Sequence, residues 1–351
     1  MTSFRHATAF LCFSLLAPAC GCSSGSAAPP RTDGRVVVVV SGGGATSPFT
    51  TPTEACTKGF AAGSSDSALR EALLAAGYRV YTSPAQVGAG TIPSATGEWG
   101  FSGCPAALPA SMTVNSMGPI DDAGVSLAAF LEHLRASYGA TTVDLVCHSM
   151  GGLYARSAIR RLGEAGSPLR IRSLTTIGTP WEGSFAADYA TGALALAECD
   201  GDKVCEAAME EFKTAWLPNS TGTGQQGTRK YLAGPDGWNA RQGSVLRGIP
   251  VTLLGGDYHR KAGGKPEVWP NDNLVALGSA LATGVSDTVV PHRACFTFPD
   301  LHSIYYASQR KVDRTRGLTW DPRVLAAVRT ALESADTALA RPNRVGCPAA
   351  P

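Results

Sequence analysis

The chain has 351 residues, 44% of them hydrophobic and 17% charged, with a formal net charge of +2. That is enough apolar material for one large core, and no Lys/Arg run offers nucleic acid an electrostatic foothold. No stretch approaches the about 18 uninterrupted apolar residues of a membrane-spanning helix.

The first 34 residues are expected to stand apart from the fold. "MTSFRHATAFLCFSLLAPACGCSSGSAAPPRTDG" places Arg5 and His6 before a roughly 13-residue apolar stretch of export-signal length. Small residues, cysteine and a Ser/Gly/Pro linker follow. Ala17 and Ala19 fit simple secretion. Cysteine after small residues also resembles a bacterial lipoprotein box, in which Cys20 or Cys22 would take the lipid. The expectation is an exported protein, secreted or lipid-anchored in the cell envelope, with one folded domain over 35–351.

The remaining elements alternate. "RVVVVVSGGG" (35–44) is a β-branched run ending in glycines, the pattern of a strand buried on both faces. "SSDSALREALLAAG" (64–77) reads as a helix closed by glycine, and "YRVYTS" (78–83) as a short strand. An irregular, proline-bearing stretch over 84–118 follows. In "DDAGVSLAAFLEHLRASYG" (121–139), Leu127, Phe130, Leu131, Leu134 and Tyr138 share one helical face.

A strand at 141–147, a helix at 151–163, strands at 169–178, 249–256 and 292–298, and a closing amphipathic helix at 321–340 complete the order. Such alternation predicts an α/β fold: a mostly parallel central sheet with helices on both faces. An insertion of roughly 70 residues, about 181–247, is either a lid or partly disordered. "ADYATGALALA" (187–197) within it could be an apolar lid helix or a buried structural one.

Of ten cysteines, Cys12, Cys20 and Cys22 belong to the signal region. Among the other seven, Cys147 ends a buried strand and is the natural unpaired thiol. Proximity in sequence pairs the rest as 56–104, 199–205 and 295–347, one of the many pairings six cysteines allow. None has the spacing of a structural zinc site.

Chemistry is suggested first by "VCHSMGGLYAR". A strand runs into Cys147-His148-Ser149-Met150-Gly151 and then a helix. A nucleophilic serine needs such a sharp strand-to-helix turn with small neighbours, because strand and helix backbones approach closely there. Ser149 could otherwise simply cap the helix.

A serine hydroxyl also needs a histidine to take its proton and a carboxylate to orient that histidine. Of six histidines, His6 lies in the signal, His133 in a helix, and His148 beside the serine. His259 follows the 249–256 strand, where the acid or its loop is expected. His302, after the last strand, is favoured over His292 at its start. For the acid, Asp287 in "GVSDTVVPH" is favoured over Asp257, with Asp300 too near His302. The oxyanion donors are expected to be the N–H of Met150 and that of Gly43 in "SGGG", with Gly44 second.

Together these residues resemble the α/β-hydrolase fold, and within it the secreted bacterial triacylglycerol lipases and esterases. The similarity runs from about 36 to 305 and is most specific in "DLVCHSMGGLYAR", "LTTIGTPWEGSFAAD" and "SDTVVP". The resemblance implies acyl transfer through a serine ester by Ser149, Asp287 and His302, acting on a lipid or other carboxylic ester without a cofactor. Three positions depart from the pattern. Cys147 replaces a glycine, and Ser41 replaces a histidine. Ile304 stands where related lipases place a calcium-binding aspartate, so no metal is expected. An envelope acyltransferase using the same triad and an inactive lipid-binding relative are the alternatives.

Overall fold

The computed structural model describes residues 34–55, 65–92, 107–234 and 236–348. Residues 1–33, where an export signal is expected, and Cys56 and Cys104 therefore lie outside the described residues, and with them the 56–104 pairing and lipidation at Cys20 or Cys22.

Seven strands form one sheet: β1 (Arg35–Val40), β2 (Val80–Thr82), β3 (Thr142–His148), β4 (Arg170–Ile177), β5 (Val251–Gly256), β6 (Arg293–Phe298) and β7 (Arg344–Val345). Their order across the sheet is β2-β1-β3-β4-β5-β6-β7, and every pairing is parallel. The valine run of β1 shows why. Val36, Val38 and Val40 enter one apolar cluster, while Val37 and Val39 enter the cluster on the opposite face. A strand buried on both sides has to be covered on both, which parallel strands with crossover helices achieve.

Helices α2 (Ile120–Tyr138) and α3 (Gly151–Glu164) cover the first face; α1 (Ser67–Ala75) and α6 (Pro322–Ala338) cover the second. α2 and α3 approach so closely that a Cβ on Gly124 would lie 2.4 Å from the Ser157 Cβ. Gly139 ends α2 with φ 67°, the left-handed turn glycine adopts at little cost.

The predicted strands and helices appear with small changes of boundary. The described residues of the insertion, expected to be either a lid or partly disordered, are folded. They include α4 (Phe185–Ala190), α5 (Lys203–Glu211) and several shorter turns. Phe185, Ala187, Met209 and Phe212 pack into a separate cluster with Val268, Trp269, Leu301 and Tyr306. The apolar stretch 187–197 is not one helix, because α4 stops at Ala190. A further strand, β7, follows the closing helix and pairs with β6, and the stretch 84–118 contributes a short ladder, Ala85–Gln86 beside Val114–Asn115.

Cys199–Cys205 and Cys295–Cys347 are disulfides, and Cys147 is a free, buried thiol. Among the described residues no helix is long and apolar enough to cross a membrane.

Candidate active site

Chain order reverses between β1 and β3, since β2 lies outside β1 and β4 beyond β3. In an open parallel sheet this switch point leaves a crevice at the carboxyl ends of the strands. Two loops enter it directly: the glycines after β1 and the turn after β3.

Ser149 occupies that second turn with φ 54°, a left-handed conformation that a non-glycine residue adopts only when the surroundings impose it. Its N–H donates to the carbonyl of Ile177 at 2.8 Å, and the Thr179 hydroxyl donates to its carbonyl at 2.7 Å. The turn is tight on every side. A Cβ at Gly42 would lie 2.5 Å from the Ser149 Cβ, and one at Gly151 would lie 2.6 Å from the Val40 carbonyl. Cys147, where glycine is common, points instead into the core of the first face. Burial pushes its thiol well above the usual range, so it stays protonated.

His302 follows β6 and reaches back over the carboxyl edge. Its Nε2 accepts the Ser149 hydroxyl at 2.9 Å, while Nδ1–H donates to Oδ2 of Asp272 at 2.8 Å. Asp272 is fully buried, and its Oδ1 accepts from the N–H groups of Leu274 and Val275 at 3.0 and 2.8 Å. The His302 N–H donates to the Asp272 carbonyl at 2.7 Å, so imidazole and carboxylate are locked together twice. A hydroxyl, an imidazole and a carboxylate in this order are the parts that activate a serine.

Asp287, the acid expected from the sequence, is not among them. Its half-exposed carboxylate accepts from Arg293 at 3.0 Å and from Arg344 at 2.9 Å, which ties β6 to β7. The reason is topological. Asp287 precedes β6, and in a parallel sheet a loop before a strand lies at the amino edge, opposite the crevice. Asp272 follows β5 and so lies at the carboxyl edge. Asp257, the rival, also follows β5, but its carboxylate pairs with Arg260 at 2.8 Å. The signal available in the sequence was a Pro-Asn-Asp-Asn turn (270–273) after the 249–256 strand.

Gly43 and Met150 face one another, with a Cβ on Gly43 falling 3.2 Å from the Met150 Cγ. Among the described residues no backbone carbonyl accepts from either N–H, whereas the Gly44 N–H is taken by Ser116 at 3.2 Å. Met150 also caps the N-terminus of α3, whose free N–H groups favour negative charge. Trp216, from the insertion, lies over this loop, with ring atoms 3.3 Å from a Cβ on Gly43 and 2.8 Å from one on Gly44, and it stacks on Phe212.

Two buried groups that sequence reasoning left without a role stand behind His302. His148 Nε2–H donates to the His302 carbonyl at 2.9 Å. Asp66, immediately before α1, accepts from the Ser41 hydroxyl at 2.6 Å. Among the described residues no group of three or more His, Cys, Asp or Glu is arranged to hold a metal ion.

No family model matches the chain. Over 66 residues it is 42% identical to a triacylglycerol lipase of Pseudarthrobacter phenanthrenivorans and likewise to one of Burkholderia plantarii. The match covers 19% of this chain and only 19% and 17% of the two relatives. Among solved structures, a Bacillus licheniformis lipase in mature form aligns at TM-score 0.38 and 16% identity, over 72% of this chain and 80% of that one. A thermophilic esterase from Thermogutta terrifontis aligns at TM-score 0.42 and 14% identity, over 86% and 90%.

Proposed function

We propose that the protein is a serine hydrolase of carboxylic esters, with Ser149 as nucleophile, His302 as general base and Asp272 as the orienting carboxylate. The observation that carries this reading is the unbroken Ser149–His302–Asp272 contact chain at the carboxyl edge of the sheet.

His302 Nε2 takes the Ser149 proton as Oγ attacks the ester carbonyl. The carbonyl oxygen becomes an oxyanion held by the N–H groups of Gly43 and Met150. On collapse the alcohol leaves with the proton from His302. Water then attacks the acyl-enzyme with its proton going to His302, and Ser149 regains that proton as the acid leaves. Asp272 keeps the imidazole in the tautomer that accepts at Nε2.

The partial match to triacylglycerol lipases favours a lipid or other apolar acyl ester. Trp216, Phe212 and Tyr306 supply apolar and aromatic surface around the site. The insertion suits the role of a lid: Trp216 covers the oxyanion loop, and Glu211 at the end of α5 accepts from Tyr305 and Gln309 just after His302. The two disulfides fit an exported protein, in which Cys20 or Cys22 would carry any lipid anchor.

Purified mature protein is expected to react with a fluorophosphonate probe, and Ser149→Ala and His302→Ala to lose that reaction. Detergent micelles should accelerate labelling if the insertion closes the site. Folded wild type that stays unlabelled with and without micelles would overturn the reading.

A further inference from the structure

Asp66 is 1% exposed, and only one of its two carboxylate oxygens has a hydrogen-bond partner among the described residues. The other, Oδ1, lies 3.7 Å from Nδ1 of His148, beyond hydrogen-bonding range but within reach of a small side-chain shift. Because His148 donates from Nε2 to the His302 carbonyl, its Nδ1 presents a lone pair to Asp66. A buried carboxylate oxygen facing a lone pair would leave two acceptors unsatisfied, and a single proton between them satisfies both.

We propose that Asp66 and His148 share one proton and act together as positioning residues behind the catalytic centre. They hold the His302 backbone carbonyl on one side and, through Ser41, the start of the oxyanion loop on the other. This inference rests on the hydrolase reading and gives His302 a second carboxylate–histidine support, aimed at its backbone rather than its ring. The two imidazoles lie 4.9 Å apart, so a charge on the hidden pair is also felt at His302.

Burial places the proton. It pushes the Asp66 carboxyl up to about 7 and the His148 imidazole down to about 3, so the neutral acid donates to a neutral ring. The other groups around the pair do not supply the missing charge. Cys147, from β3, remains a thiol. Arg70, one turn along α1, is engaged with Thr50 and Thr51. His302 is committed to Asp272 and Ser149. When Asp66 ionises, its proton leaves to solvent. The remaining carboxylate then repels the Nδ1 lone pair and the oxyanion forming nearby.

Asp66→Asn tests this, since an amide can accept from Ser41 and donate permanently to Nδ1. Wild-type labelling should fall as pH passes about 7. In Asp66→Asn that fall should vanish. Asp66→Leu, which can do neither, should lower kcat on an ester substrate roughly 10-fold with KM unchanged.

Melting provides a readout independent of activity. An acid whose folded value lies above its ordinary 3.8 lowers stability progressively as pH rises toward that folded value. Asp66→Asn should therefore melt well above wild type at pH 8 and close to it at pH 4. If the wild type never labels, the hydrolase reading fails and the melting comparison still decides the shared proton. Pair and positioning role are both overturned if Asp66→Asn keeps the wild-type pH profile and gains no stability between pH 4 and pH 8.

Discussion

Ser149 has a backbone that its own side chain does not favour, and its neighbours hold it there. A methyl group at Gly151 would meet the carbonyls of Val40 and Ser41 at 2.6 and 2.7 Å. Both contacts are backbone, so neither can swing aside, and the turn itself would have to move. Gly151→Ala should cost about 1–3 kcal/mol of stability and slow probe labelling about 100-fold, read by melting and labelling kinetics. Gly163, in the last turn of the same helix, has open space around its Cβ position. Gly163→Ala should therefore gain about 0.5–1 kcal/mol and label normally. The serine was legible because such a turn writes itself locally: strand, S-x-G-G, helix. His302 was reached because there were few histidines to choose among. Asp66 was not legible, because its partners Ser41 and His148 lie 25 and 82 positions away along the chain (148 − 66 = 82) and only the packed sheet brings them together.

At the scale of elements, α3 does more than present the serine. Its Arg156 is fully buried, with the guanidinium 4.3 and 4.7 Å from the ring centroids of Trp181 and Trp238 and one hydrogen bond to Asn239 at 2.7 Å. Nε and Nη2 have no hydrogen-bond partner among the described residues, and burial brings the group down to about 9. The Arg156 side chain is thus packed against indoles from both ends of the insertion. Arg156→Met keeps most of the volume without the buried charge and should leave the melting temperature unchanged or raised. Arg156→Ala opens a gap between the indoles and should cost about 2–4 kcal/mol in denaturant unfolding. Equal damage from both would show that the charge, not the packing, matters. Helices and strands of the sheet were legible through their periodicity. The insertion was not, since its helices are short and their apolar faces are completed by distant residues such as Val268 and Leu301. β7 has only two residues, and nothing in so short a run distinguishes a strand.

For the whole molecule, function follows from which edge of the sheet each loop reaches. All seven strands run parallel, so loops that follow strands gather at one edge and loops that precede them at the other. The turn after β3, the glycines after β1, the Asp272 loop after β5 and the His302 loop after β6 all reach the same edge. Asp287 satisfies the chain order serine–acid–histidine and still falls at the wrong edge, where it binds Arg293 and Arg344. Sequence order alone could not separate the two aspartates; the direction of the strands does. The decisive measurement is kcat on an ester substrate for Asp272→Asn and Asp287→Asn side by side. Asp272→Asn should lose roughly 10⁴-fold in kcat while remaining folded. Asp287→Asn should stay within a few-fold of wild type and lose at most about 1 kcal/mol of stability, as expected for a half-exposed ion pair. An inactive Asp287→Asn beside an active Asp272→Asn would contradict the account.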